Sequence, residues 1–113
     1  MVHADIVYIQ HIMDAITRIG EYLHGIDENA FLQNYLVQDG VIRQLEIIGE
    51  ATKQISQGTR EKHSNIPWKD MAGMRDKLIH DYFGVDVEQV WFTASNDIPT
   101  LKIEIEEVVN NLG

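Results

Sequence analysis

The chain has 113 residues, no cysteine, two prolines, 44% hydrophobic residues and a formal net charge of −9. These figures predict one compact domain over residues 1–113, with enough buried surface for a core without disulfides, and they disfavour a structural zinc site. They also exclude a broad electrostatic grip on nucleic acid, because Lys and Arg facing phosphate supply most non-specific affinity.

The first predicted element runs from about residue 4 to Leu23. Ile6, Ile9, Met13, Ile16 and Leu23 recur there at helical spacing, Ile12, Ile19 and Tyr22 flank them, and His24-Gly25 ends the run. Asp5, Gln10, His11, Asp14 and Arg18 interrupt the apolar residues, so neither a signal peptide nor a membrane span is expected. The absence of cysteine fits a reducing, cytoplasmic location. After a turn at 25–29, a second helix from about Tyr35 to Ser56 places Val41, Leu45, Ile48, Thr52 and Ile55 on a core stripe. Arg43, Glu46, Glu50 and Lys53 fall on a solvated face, and Gly58 marks the end.

A polar stretch at 59–65 leads to Pro67, placed as the first residue of a third helix running to about Tyr82 and ending by Gly84. Asp86 with Gln89 resembles a capping box for a fourth helix carrying Val87, Val90, Trp91 and Ala94. Asn96 or Asp97 would cap a fifth stretch with Pro99 in its first turn and Leu101, Ile105, Val108, Val109 and Leu112 as its stripe. Whether the last two form one kinked helix is open at this level. Short connections between such helices predict an all-α, up-down bundle of four to five helices.

Charge is unevenly distributed. Residues 60–80 hold five basic and three acidic side chains, a net +2, whereas 1–59 carry −5 and 81–113 carry −6. Phosphate, if met at all, would be met in that basic stretch, which also contains His63 and His80; the alternative is a solvated face of an acidic protein. On a regular helix through this stretch, Met71, Ala72, Met74, Leu78, Ile79 and Phe83 form a wide apolar arc, with Arg75 and Tyr82 near its middle. A buried guanidinium is costly unless compensated. Arg75 therefore snorkels, pairs with a carboxylate of another helix, or serves a site.

On the opposite arc lie Asp76, His80, Gly73 and Lys77. Asp76 precedes His80 by four residues, where a carboxylate can orient an imidazole and raise its basicity, and Gly73 permits close approach of another helix or a ligand. Arg75 and His80 diverge by about 140° on one helix. Two copies related by a two-fold axis bring them together more easily, so dimerisation is the geometric expectation.

The run Arg75-Asp76-Lys77-Leu78-Ile79-His80-Asp81-Tyr82 resembles the R-x-x-x-x-H-x-Y signature of HEPN-domain ribonucleases of the HepT toxin type. The stretches 43–51 (RQLEIIGEA), 66–74 (IPWKDMAGM) and 82–86 (YFGVD), with Val90-Trp91, resemble the same family and extend the likeness over nearly the whole chain. The resemblance implies a homodimeric HEPN bundle whose signature helices face a shared cleft, cutting RNA without a metal or other cofactor by attack of the ribose 2′-OH on the adjacent phosphorus. His80 would be the general acid or base, Arg75 would stabilise the transition-state charge, and Asp76 and Lys77 would support them. Tyr82 would receive AMP from ATP through a minimal nucleotidyltransferase antitoxin of the MntA type, and the added phosphate would occupy Arg75 and repel RNA. The alternative for Tyr82 is a core phenol.

Two function classes follow. One is the toxin of a toxin–antitoxin pair, an endoribonuclease acting on an RNA, tRNA among the candidates, that the sequence does not identify. The other is a non-catalytic HEPN module presenting a substrate or nucleotide to a separate nucleotidyltransferase; a purely structural dimer ranks behind both. The presence of Arg75, His80 and Tyr82 together favours the ribonuclease.

Overall fold

The computed structural model describes residues 3–74, 76 and 86–111. Among these residues every regular element is helical and no strand occurs. Helices α1 (His3–Leu23), α2 (Glu28–Leu32), α3 (Tyr35–Lys53), α4 (Gln57–Lys62) and α5 (Trp68–Ala72) are followed by α6 (Val87–Phe92) and α7 (Ile98–Asn110).

α1 packs against both α3 and α7. It runs antiparallel to α3. Asp5 at its start meets Ser56 just beyond the end of α3, and Tyr22 near its end lies against Gly40 near the start of α3. A Cβ on Gly40 would stand 3.2 Å from the Tyr22 ring, which is why glycine suits this crossing. The seam is filled by Ile9, Ile12, Ile16 and Ile19 of α1 and by Val41, Leu45, Ile48 and Ala51 of α3, all buried. Thr52 and Ile55, read from the sequence onto the same stripe, are buried as well.

The buried row on α1 starts at Asp5, not at Ile6, which is 39% exposed. Asp5 occupies a core position because its carboxylate is saturated with donors. It accepts from the Ser56 backbone N–H at 2.9 Å, the Ser56 hydroxyl at 2.6 Å and the Thr59 hydroxyl at 2.6 Å. Burial alone would raise its pKa, but the hydrogen bonds from Ser56 and Thr59 favour the ionised form and together bring it below its ordinary 3.8.

Two one-turn helices fall where the sequence suggested a turn and a polar stretch. α2 begins at Asp27, whose side chain accepts from the Ala30 N–H at 2.8 Å, and α4 begins at Ser56, which accepts from Thr59. Five or six residues are too few to display a helical period, so neither helix was read from the sequence. Gly25, at φ 72°, takes the left-handed conformation that ends α1. α2 then places Phe31 in the core against Trp91, ring centroids 5.3 Å apart, and the buried Gln38 amide donates to the Phe31 carbonyl at 2.9 Å.

The last two predicted helices form one continuous rod. Phe92, Thr93, Asp97 and Ile98 are all right-handed helical, and residues Thr93–Asp97 form a π turn between α6 and α7. The Asp86 cap is present, accepting from the Gln89 N–H at 3.1 Å, but Asp97 makes no capping bond because the helix does not start there. The reason is Pro99. Its ring crowds the carbonyl four residues back and it lacks an N–H, and a wide turn accommodates both without ending the helix.

Candidate functional site

The third predicted helix divides at Gly73. α5 ends at Ala72 with Pro67 at its N-cap, Gly73 forms the turn, and Met74 and Asp76 are helical again. A Cβ on Gly73 would meet only the carbonyls of Lys69 and Asp70, at 3.4 and 3.6 Å, so among the described residues no second helix uses the space it leaves. Met71 is fully buried and Asp76 is exposed, as the periodicity placed them. Arg75, Lys77, His80 and Tyr82 lie outside the described residues.

Asp76 is the member of the proposed set whose contacts are described. Its carboxylate accepts from Lys53 Nζ through both oxygens, at 3.1 and 3.3 Å, across 23 positions of sequence. The same ammonium lies 3.7 Å from Glu50, one turn earlier on α3. Both partners of the Lys53–Asp76 pair are partly solvated, with side chains 35% and 53% exposed. The sequence assigned Lys53 to a solvated face, and nothing local could have linked it to Asp76. The link exists because α5 packs against α3 and delivers the following segment to the end of that helix.

The structure also sorts the basic stretch. Arg60 is committed to the fold: its Nη2 donates to the Thr52 carbonyl at 2.8 Å and its Nε to the Ile55 carbonyl at 3.2 Å, capping the end of α3. His63 is buried, so it does not present a cation to phosphate as its position in the basic stretch suggested. Its carbonyl accepts from the Trp68 indole at 3.0 Å, and its Nε2 has no partner among the described residues. Lys62 and Lys69 remain exposed, and Lys53 joins from α3.

Two concavities border this region. A groove of about 440 Å³ between α1 and α3 is lined by Tyr8, His11, Arg43, Glu46, Glu50 and Gln54, among others. The Tyr8 and His11 rings meet edge to face, centroids 5.8 Å apart. The groove reaches Glu50, whose carboxylate is the one near Lys53. A second hollow of about 310 Å³ between α5 and α7 contains Asp70, Asp97 and Glu104 beside Met74. Among the described residues the two differ in charge: Arg43 and the nearby Lys53 accompany the carboxylates of the first, whereas the second is lined by Asp70, Asp97 and Glu104. No group of three or more His, Cys, Asp or Glu that could hold a metal ion occurs among the described residues. No helix among them is long and apolar enough to cross a membrane.

Comparison with known proteins places these features in a family. The profile of the family described as "Ribonuclease HepT-like" matches residues 12–108. A protein of Thermococcus cleftensis named "Probable ribonuclease HepT" is 48% identical over 89% of this chain and 92% of its own length. One of Caldanaerobacter subterraneus subsp. tengcongensis named "Putative RNase" is 42% identical over 90% of this chain and 91% of its own. A longer relative in Methanocaldococcus jannaschii, named as a gamma-glutamylcyclotransferase and putative RNase, is 45% identical over 94% of this chain, which spans 48% of that protein. No solved structure matches the chain.

Proposed function

From membership of the ribonuclease HepT-like family, to which this chain belongs, we propose that it is a metal-independent endoribonuclease acting as a homodimer. The observation that carries this reading is the run Arg75 to Tyr82 lying within the region matched by the ribonuclease family. In the proposed reaction the ribose 2′-oxygen attacks the adjacent phosphorus, the bond to the 5′-oxygen breaks, and a 2′,3′-cyclic phosphate and a free 5′-hydroxyl result. His80 removes the 2′-hydroxyl proton or protonates the departing 5′-oxygen, and two copies in a dimer supply both functions. Arg75 neutralises the charge that accumulates on the phosphoryl oxygens, helped by Lys77.

The same reading makes the protein the toxin of a pair whose antitoxin is a minimal nucleotidyltransferase of the MntA type. The Tyr82 hydroxyl attacks the α-phosphorus of ATP, pyrophosphate leaves, and the new phosphodiester sets a negative charge and an adenosine beside Arg75. RNA is then excluded by occupancy and by repulsion.

The test is incubation of the purified protein with total RNA in EDTA, alongside Arg75→Ala and His80→Ala. Cleavage by the parent, with cyclic-phosphate ends and a loss of at least about 100-fold in each variant, is expected. Undiminished cleavage by both variants places the catalyst elsewhere, and no cleavage by the parent favours a binding module. With the nucleotidyltransferase and ATP, intact mass should rise by AMP increments in the parent and not in Tyr82→Phe.

A further inference from the structure

The groove between α1 and α3 brings together polar groups that the fold does not use. Arg43 and Glu46 stand one turn apart on α3 and both line it, yet among the described residues neither side chain makes a hydrogen bond or an ion pair. From α1 come Tyr8 and His11, whose rings meet edge to face, and Ile47 and Ala51 supply an apolar lining. Glu46 and Tyr8 are half-buried, whereas Arg43 and His11 are exposed, so a ligand reaches all four from solvent. The lining of α3 runs from Arg43 to Gln54, about 16 Å at about 1.5 Å per residue, which is room for a base and the phosphate beside it. The volume of about 440 Å³ falls in the range of small-molecule sites, which begins at about 300 Å³.

We infer that this groove binds one nucleobase of single-stranded RNA and selects guanine. The inference rests on the ribonuclease reading only in taking the ligand to be RNA. A carboxylate accepts hydrogen bonds and donates none, and guanine is the base whose Watson–Crick edge turns two adjacent donors, N1–H and N2–H, toward it. Adenine and cytosine place an acceptor beside their amino group, and uracil flanks its N3–H with carbonyls. Glu46 is the acceptor for that edge, and the His11–Tyr8 pair is the platform on which the base stacks. Arg43 takes the neighbouring phosphate, and its charge opposes the cationic peptide that Glu46 by itself would attract. Binding through a stacked base needs few cations, which suits a chain of net charge −9.

The experiment follows, by fluorescence anisotropy with the full chain in EDTA, the binding of fluorescein-labelled short oligomers of 2′-O-methyl uridine. Each carries one central guanine, adenine or hypoxanthine, and the methyl group removes the nucleophile, so binding is read without cleavage. The guanine oligomer should bind about tenfold more tightly than the adenine one, and hypoxanthine, which lacks the N2 amino group, about fivefold more weakly than guanine. Glu46→Gln should abolish the preference, because an amide cannot accept from both donors; a ratio of affinities within one variant cancels any loss of folded protein. Arg43→Met should weaken all three oligomers alike and flatten their salt dependence. Equal affinity of the parent for guanine and adenine overturns the inference, as does a preference that survives Glu46→Gln. Displacement of the oligomer by an arginine-rich peptide at lower concentration than by guanosine monophosphate also overturns it, in favour of a protein ligand. A guanine preference in a parent that cleaves no RNA overturns the ribonuclease reading and not this one, and cleavage without the preference does the reverse.

Discussion

Asp5 and Asp76 are both carboxylates placed on helices and both contact a residue distant in sequence, yet they do opposite things. Asp5 is 1% exposed and is met by a backbone N–H and two hydroxyls, all neutral dipoles fixed by the start of α4. Asp76 has a side chain 53% exposed and is met by a flexible ammonium from α3. A buried charge held by preorganised dipoles fixes a helix crossing, because removing it strands donors that water cannot reach. An exposed pair adds little to stability and instead adjusts the local potential. The start of α1 is thus held by hydrogen bonding, whereas Asp76 takes part in an exposed charge contact.

The largest effect expected from this contrast is on stability. Asp5→Ala should cost about 3 kcal/mol, roughly 10 °C in Tm, in urea and thermal melts, since the buried Thr59 hydroxyl and the half-buried Ser56 hydroxyl and backbone N–H lose their shared acceptor. A cost below about 1 kcal/mol would remove the distinction between the two aspartates.

The pH dependence sharpens it. The folded state holds Asp5 below 3.8, so it binds the proton less readily than the unfolded chain does. The stabilisation is therefore complete above the unfolded value and is lost as pH falls through the folded one. Urea midpoints taken from pH 6 downward should fall more steeply in the parent than in Asp5→Asn, with the difference confined to the region below about pH 5.

Two smaller effects separate the basic residues. Arg60→Met should lower stability by about 1 kcal/mol, since two carbonyls at the end of α3 lose their donor, and should leave RNA cleavage per folded molecule unchanged. Lys53→Met should change stability by less than about 0.5 kcal/mol, within about 2 °C in Tm, because the Lys53–Asp76 pair is exposed. If Arg60→Met impairs cleavage per folded molecule, the assignment of Arg60 to the fold alone is wrong.

Much of the architecture was legible in the sequence. The apolar period of α3 identified its core stripe, and that of α7 identified Leu101, Ile105 and Val108, because these helices are long enough for periodicity to show which face is buried. On α1 the buried face includes Ile12 and Ile19, read as flanking, and leaves Met13 and Leu23 half-buried. The short helices α2 and α4 were missed, since a side-chain cap at Asp27 or Ser56 without a period behind it is a weak signal. The apolar row of α1 was displaced at its start because a polar residue, Asp5, shares the core face. Its position four residues before Ile9 and seven before Ile12 was the available clue. The π turn was not legible, since a proline reads equally as the first turn of a new helix and as a defect absorbed within a longer one.

For the proposed site, the sequence alone supplied the run from Arg75 to Tyr82 and its likeness to a ribonuclease family, because a local signature depends on spacing along one segment. It could not say that Arg60 closes the end of α3, that His63 is buried, or that Lys53 reaches Asp76. Those outcomes depend on which helix ends are brought together. That is settled by packing of apolar faces between segments far apart in the chain, and the charges at the helix ends find their partners only after the packing has placed them.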